Sequence, residues 1–219
     1  MFNNLLPGIK SVSKPKGVLR FSLPLGFMRY NPPTKGLRPQ IPPWRQKIMD
    51  LSKISYGENP DKVKAVIEIP FGSNIKYEIE KESGAVVVDR VMHSAMYYPA
   101  NYGFVNNTLS QDGDPADVLV LTEYPMQAGS VVNCRLVGVL IMEDESGIDE
   151  KLLAVPVSKI DPTFEEIKDI DDLPKHTLAK IKNFFETYKM LEPGKWVKVK
   201  EFQNKEAAAK ILQDAIDNA

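Results

Sequence analysis

Val131-Val132-Asn133-Cys134-Arg135-Leu136-Val137-Gly138-Val139-Leu140-Ile141-Met142 is the chain's best candidate for a membrane-spanning helix, and it fails as one. Asn133 and Arg135 break the apolar run, which falls well short of the ~18 uninterrupted apolar residues a spanning helix needs. The stretch is rich in Val, opens after Ala128-Gly129, and reads instead as a long strand. Cys134 alternates with apolar neighbours on it and reads as a small core residue.

Working outward from this strand, more strands follow. Residues 63–70 (VKAVIEIP) alternate and are rich in Val and Ile; 75–79 (IKYEI) alternate again. Residues 85–91 (AVVVDRV) follow the turn signal Ser83-Gly84, so the pair reads as a hairpin. Residues 117–122 (DVLVLT) form a buried-type strand after a loop holding Gly113 and Pro115, and 152–156 and 196–199 are short strands. The period then changes. Leu178, Ile181, Phe184, Phe185 and Tyr188 stand at helical spacing over 174–188, with Pro174 near the start, and 204–216 form a second helix with Asn204 as N-cap. Many strands and a few late helices predict an α+β, mainly β fold: a closed or partly closed β-barrel with helices packed outside. Trp196 is expected to pack between barrel and helix, and Phe184-Phe185 to be core.

The chain has 219 residues, 43% hydrophobic and 26% charged, with 28 Lys+Arg against 29 Asp+Glu. This composition excludes wholesale disorder, collagen-like repeats and a coiled-coil rod. Cys134 is the only cysteine, so neither a disulfide framework nor a cysteine zinc site is available, which suits a reducing compartment. His93 and His176 are too far apart to match a ligand spacing.

The balanced charge hides two kinds of polypeptide. Residues 1–48 contain no Asp or Glu, nine basic residues and eight of the 17 prolines. Residues 49–219 carry the remaining 19 basic and all 29 acidic residues, a net of −10. The first segment reads as an extended or disordered basic extension. A targeting peptide would be basic and acid-poor, but its amphipathic helix is opposed by the prolines. A polyanion-binding arm would cluster its charges. The abrupt change favours a native start at Met49, with 49–219 as the functional domain.

The strongest chemical signal is Asp112-Gly113-Asp114-Pro115-Ala116-Asp117. Three carboxylates this close repel one another unless cations bind, and hard cations with oxygen ligands are their natural partners. The last acid opens an apolar strand, so the group sits at a strand mouth. An EF-hand loop is disfavoured at Ala116 and Asp117. An Asp-x-Asp nucleotide-sugar transferase stays open on this loop alone. A second cluster, 143–150 (EDESGIDE), has the composition of an exposed hairpin turn. It ends a strand as the first cluster begins one, so in a barrel Asp112, Asp117, Asp144 and Asp149 could converge on one rim around several metal ions. Cations and aromatics are interleaved with these acids: Lys76-Tyr77-Glu78, Arg90, Tyr102, Lys151 and Tyr188-Lys189. Lys76 and Glu78 share a strand face. Divalent cations, Lys and Arg together suit a dense anionic oxygen cluster such as phosphate. Neither a Gly-x-x-x-x-Gly-Lys loop nor a Gly-x-Gly-x-x-Gly is present.

From Glu68 onward the chain resembles the soluble, Mg-dependent family I inorganic pyrophosphatases of bacterial type. The resemblance rests on Val66-Ile67-Glu68-Ile69-Pro70, Ile75-Lys76-Tyr77-Glu78, Val88-Asp89-Arg90, Tyr98-Pro99-Ala100-Asn101-Tyr102-Gly103, the 112–117 loop, Asp144-Glu145 with Asp149 and Lys151, and Phe184-Phe185-Glu186-Thr187-Tyr188-Lys189. It implies a five-stranded OB-type β-barrel with flanking helices, a cytoplasmic homo-oligomer (a homohexamer), and hydrolysis of pyrophosphate to two phosphates by direct attack of a metal-activated water. An organellar location follows only if 1–48 is a targeting segment. Asp112, Asp117 and Asp149 would ligate the first Mg²⁺, with Asp117 bridging to a second. Asp144, with Asp149, would hold ions arriving with substrate, and Mn²⁺ or Zn²⁺ could substitute. Asp114 would take the proton from the attacking water. Lys76, Arg90, Tyr102, Lys151, Tyr188 and Lys189 would contact phosphate, with Glu68, Glu78 and Glu145 as supporting acids. Ala116 departs from the family, which usually has a larger aliphatic there; a packing change is expected. A binding module for nucleic acid is the competing class, but the net of −10 repels a polyanion. Neither nucleic acid nor a membrane is therefore expected as a partner.

Overall fold

The structure, a computed structural model, describes residues 49–219. All readings of the basic segment 1–48 lie outside the described residues. The strands are β1 (Val63–Ile69), β2 (Ile75–Ile79), β3 (Val86–Val91), β4 (Asn101–Val105), β5 (Asp117–Val120), β6 (Val131–Asp144), β7 (Gly147–Pro156) and β8 (Val197–Gln203). The helices are α1 (Lys175–Thr187), before β8, and α2 (Lys205–Asp217), after it.

The 14-residue β6 organises the sheet. Its first residues pair with β1, its last with β8, and nearly its whole length with β7, always antiparallel. β7 lies parallel to β5, β5 antiparallel to β4, and β4 antiparallel to β1. Five strands, β1-β4-β5-β7-β6, therefore close a hydrogen-bonded ring, and β8 extends it at the far end of β6. A register shift between Leu136 and Gly138 reverses the phase of β6. Val132, Cys134, Leu136 and Val139 join one core cluster, which includes Ala208, Leu212 and Ala215 of α2. Val137, Leu140 and Met142 join another, which includes Ile181, Phe184 and Phe185 of α1. Burial on both faces explains why this strand is nearly continuous in apolar residues rather than alternating. β2 and β3 form a separate two-stranded ribbon, as the Ser83-Gly84 signal predicts. Met49, Leu51 and Ile54 pack against Val66, Ile79 and Phe104.

The α+β, mainly β reading holds. Among the described residues no helix is long and apolar enough to cross a membrane. The Asn204 cap forms as expected, its side chain accepting the Ala207 N–H at 3.1 Å. Cys134, Phe184 and Phe185 are core, and Ala116 is buried against the β1–β5 face.

Three expectations are corrected. β4 is absent from the sequence reading because Gly103 breaks its period. Glycine is required there, since a Cβ would lie 1.9 Å from the Val66 carbonyl oxygen on the paired strand. The 143–150 cluster is mostly strand rather than turn. Only Glu145 and Ser146 lie between the paired Asp144 and Gly147, and Asp149 pairs with Met142. Trp196 is 47% exposed rather than sandwiched; it stands just before β8, outside the strand.

Candidate active site

The 112–117 loop is built from below. Thr108, buried at its base, donates its hydroxyl to the Val105 carbonyl (2.6 Å) and accepts the Ala116 N–H (2.8 Å). Ser110 N–H donates to the Asp114 carbonyl (2.8 Å), Gly113 N–H to the Ser110 carbonyl (3.1 Å), and Asp114 N–H to the Asp112 carboxylate (3.0 Å). Gly113 at φ +89° makes this tight path, a region where side chains are strained. Asp117 then enters β5 opposite Lys151 of β7.

The loop faces a cavity of about 450 Å³. Glu68, Lys76, Glu78, Tyr102, Asp112, Asp114 and Asp117 all line it. Seven of the sequence-predicted residues thus converge, although they come from β1, β2, β4 and the 112–117 loop. Lys76 pairs with Glu78 at 2.6 Å, as their shared face predicts, and with Asp89 at 3.1 Å. Lys81 also lines the cavity, 3.2 Å from Asp114; it falls outside the motifs.

Behind the cavity, Asp149 lines a small recess shared with Asp112 and Asp117. Lys151, only 6% exposed, spans the gap: its ammonium pairs with Asp117 and with Asp149 (2.5 Å). Burial alone would pull its pKa down, but the two carboxylates outweigh that and hold it protonated above the ordinary lysine range. Burial pushes Asp149 up, against the pull of Lys151. Glu68 accepts the Ile79 N–H at 2.8 Å, and burial, with Asp117 and Glu78 adding repulsion, raises it to about 7.

The remaining predicted residues form an adjoining group. Lys189 pairs with Asp144 at 2.8 Å and lies 3.8 Å from Glu145. Burial would raise Asp144, but Lys189 and the Ser146 N–H hold it below the usual carboxylate range. Glu145 also pairs with Lys195 at the hairpin turn. Arg90 pairs with Asp89 at 2.6 Å and meets Glu192 at 3.4 Å. Aromatic rings join the two groups. Tyr102 lies 5.6 Å from Tyr98, Tyr98 lies 4.8 Å from Phe184, and Phe184 stacks on Tyr188 at 5.1 Å between centroids. Lys151 lies 5.8 Å from the Tyr102 ring centre and Lys189 5.6 Å from that of Tyr188. Burial pushes the phenols of Tyr98, Tyr102 and Tyr188 above the ordinary tyrosine value, so they stay protonated donors. Tyr98 and Glu192 escape the sequence reading of roles. Tyr98 lies in a quoted motif but has no ligand logic of its own, and Glu192 meets the site only through Arg90, a neighbour distant in sequence.

The donor set around Asp112, Asp114 and Asp117 is oxygen only, which fits a hard divalent cation. Among the described residues no three acidic or imidazole groups form a ready-made cage. Lys151 stands between two of the candidate ligands instead. A cation entering here competes with this ammonium for Asp117 and Asp149.

Comparison with known proteins identifies the family. A family model described as inorganic pyrophosphatase matches residues 65–219. The inorganic pyrophosphatase of Campylobacter jejuni is 68% identical over 170 residues, covering 78% of this chain and 99% of that protein. The Helicobacter pylori enzyme is 65% identical over 168 residues, 77% of this chain and 97% of that one. A solved H. pylori inorganic pyrophosphatase superposes with a TM-score of 0.75 at 64% identity over 76% of this chain and 98% of that one. The Thermus thermophilus structure gives 0.74 at 43% identity over 78% and 98%.

Proposed function

Because the chain belongs to the inorganic pyrophosphatase family, and so hydrolyses pyrophosphate to two phosphates, we propose that it does so with Mg²⁺ held at the Asp112–Asp117–Asp149 cluster, Asp114 acting as proton acceptor. The observation that carries this reading is the cavity in which Asp112, Asp114 and Asp117 face Lys76 and Tyr102. Family membership replaces the sugar-transferase and binding-module readings as accounts of the site.

Asp112, Asp117 and Asp149 would hold the resident cation, Asp117 would also help hold a second, and Asp144 with Asp149 would hold ions that accompany substrate. When bound, Mg²⁺ supplies Lewis-acid chemistry, acidifying water and screening phosphate charge, and Mn²⁺ or Zn²⁺ can substitute. The chain's own groups do the rest. Asp114 sits beside Asp112 on a hydrogen-bonded loop, in reach of water in the cavity, and accepts the nucleophile's proton. Lys76, Arg90, Lys151 and Lys189 neutralise and orient the phosphates. Tyr102 and Tyr188, kept protonated by burial, donate hydrogen bonds to phosphate oxygens. Glu68, Glu78 and Glu145 hold cations and backbone in place. No covalent phosphoenzyme is needed.

The five-strand ring with α1 and α2 outside it supports an OB-type barrel. A cytoplasmic homo-oligomer, a hexamer, completes the reading; light scattering of the full chain tests the assembly. Phosphate release from pyrophosphate with and without Mg²⁺ tests the chemistry. Asp114→Asn should lose about 10²–10⁴-fold in turnover, the usual worth of a general base, yet keep Mg²⁺-induced stabilisation. Asp117→Asn should lose that stabilisation. Equal metal binding and normal turnover in both variants would overturn the assignment.

A further inference from the structure

Glu192 lies in the turn after α1, just beyond Lys189. Its side chain is 10% exposed, and its Oε1 sits 3.4 Å from an Nη of Arg90, which is 28% exposed. That buried Oε1 has no hydrogen-bond partner, and neither has the buried Nε of Arg90. The pair therefore attracts without hydrogen-bonding geometry, whereas Asp89 grips the other edge of the guanidinium at 2.6 Å. A charge pair of this kind is the easiest to exchange, because an incoming oxyanion gains hydrogen bonds that the carboxylate does not make.

Of the other three phosphate-binding cations, Lys76 pairs with Glu78 and Asp89 on its own ribbon, while two are held differently. Lys151 is held by Asp117 and Asp149, and Lys189 by Asp144. Those carboxylates are the proposed cation ligands, so a bound metal would compete with both lysines for them. Glu192 is outside that set and does not line the cavity. Arg90 stays capped whatever the metal does, until an anion displaces the cap.

We propose that Glu192 is a placeholder for a phosphate oxygen at Arg90, and so a specificity-determining residue that favours dense polyphosphate anions over single oxyanions. This rests on the reading of Arg90 as a phosphate contact. Pyrophosphate engages several cations at once and displaces Glu192 with the help of all of them. Orthophosphate bound next to Arg90 must displace it alone, so the placeholder weakens product more than substrate and speeds its departure.

The test is calorimetric binding of inorganic phosphate to the Mg²⁺-loaded full chain, with KM and kcat for pyrophosphate alongside. Glu192→Gln, and Glu192→Met, which keeps the length without the charge, should each bind orthophosphate about fivefold more tightly, the worth of a partly exposed ion pair. The KM for pyrophosphate should fall less. In an Arg90→Ala background the Glu192 substitutions should change neither quantity. Unchanged orthophosphate affinity in both Glu192 variants would overturn the placeholder; weaker affinity would also overturn it, by making Glu192 a prop for Arg90. Arg90→Ala binding both anions as tightly as the parent would instead sink the assignment of Arg90, a distinguishable failure.

Discussion

Glu68→Gln should make the metal-free protein more stable at alkaline pH and leave it unchanged in acid. Glu68 is partly buried on β1, accepts the Ile79 N–H, and has its pKa raised from 4.5 to about 7, by burial first and by Asp117 and Glu78 second. A raised acid binds its proton more tightly in the folded than in the unfolded state. Its folded-state penalty is therefore absent below about pH 4.5, grows as pH rises, and is complete above about pH 7. A shift of that size corresponds to about 3 kcal/mol at 1.36 kcal/mol per unit. Glutamine keeps the shape and the acceptor for the Ile79 N–H but never ionises. Urea unfolding of chelator-treated parent and variant, at matched protein concentration, should show the variant ahead by about 3 kcal/mol at pH 8. The gap should shrink through pH 6 and close near pH 4.5. A gap of constant size would assign the effect to packing. No gap at pH 8 would mean that Glu68 is not strained by its charge, and the reasoning would fail.

Asn101 is fully buried, accepts the N–H groups of Phe71 (2.9 Å) and Met126 (2.7 Å), and donates to Thr122 (2.7 Å). Asn101→Ala orphans the two backbone donors and should cost about 3 kcal/mol in urea melts. Lys151→Met leaves Asp117 and Asp149 unpaired in a buried setting, so the metal-free variant should lose about 3–5 kcal/mol. Mg²⁺ should raise its Tm more than the parent's, because the cation no longer competes with an ammonium. Trp196→Ala should change stability by under about 0.5 kcal/mol, since the ring is half out in solvent.

The limits of local patterning show at particular residues. The Asp112–Asp117 loop is legible because Gly113, Pro115 and three acids lie within one short window, and neighbours in sequence are neighbours in space. The β2–β3 ribbon is legible for the same reason: Ser83-Gly84 joins strands that pair with each other. Lys76 facing Glu78 follows from the two-residue period of a strand alone. β4 fails this reading. Its glycine is demanded by the Val66 carbonyl of another strand, and no property of 101–105 reports that approach. The 143–150 acids look like a turn because their composition is polar. Strand pairing with the end of β6 overrides that preference and points Asp149 and Lys151 toward Asp117. Trp196 reads as core by its size, but only its place just ahead of β8 in the folded chain determines its exposure.

By itself the sequence determined the class of the fold, the order of most strands, both helices, and an oxygen-rich, cation-lined chemistry suited to phosphate, for these depend on period and composition within short windows. The tertiary structure alone decided that β6 returns to β1 to close the ring, that Lys151 stands between Asp117 and Asp149, and that Glu192 caps Arg90. Each of these joins residues far apart in the chain. Such contacts form only when the burial of whole faces outweighs the entropy of closing long loops, a balance no local stretch encodes.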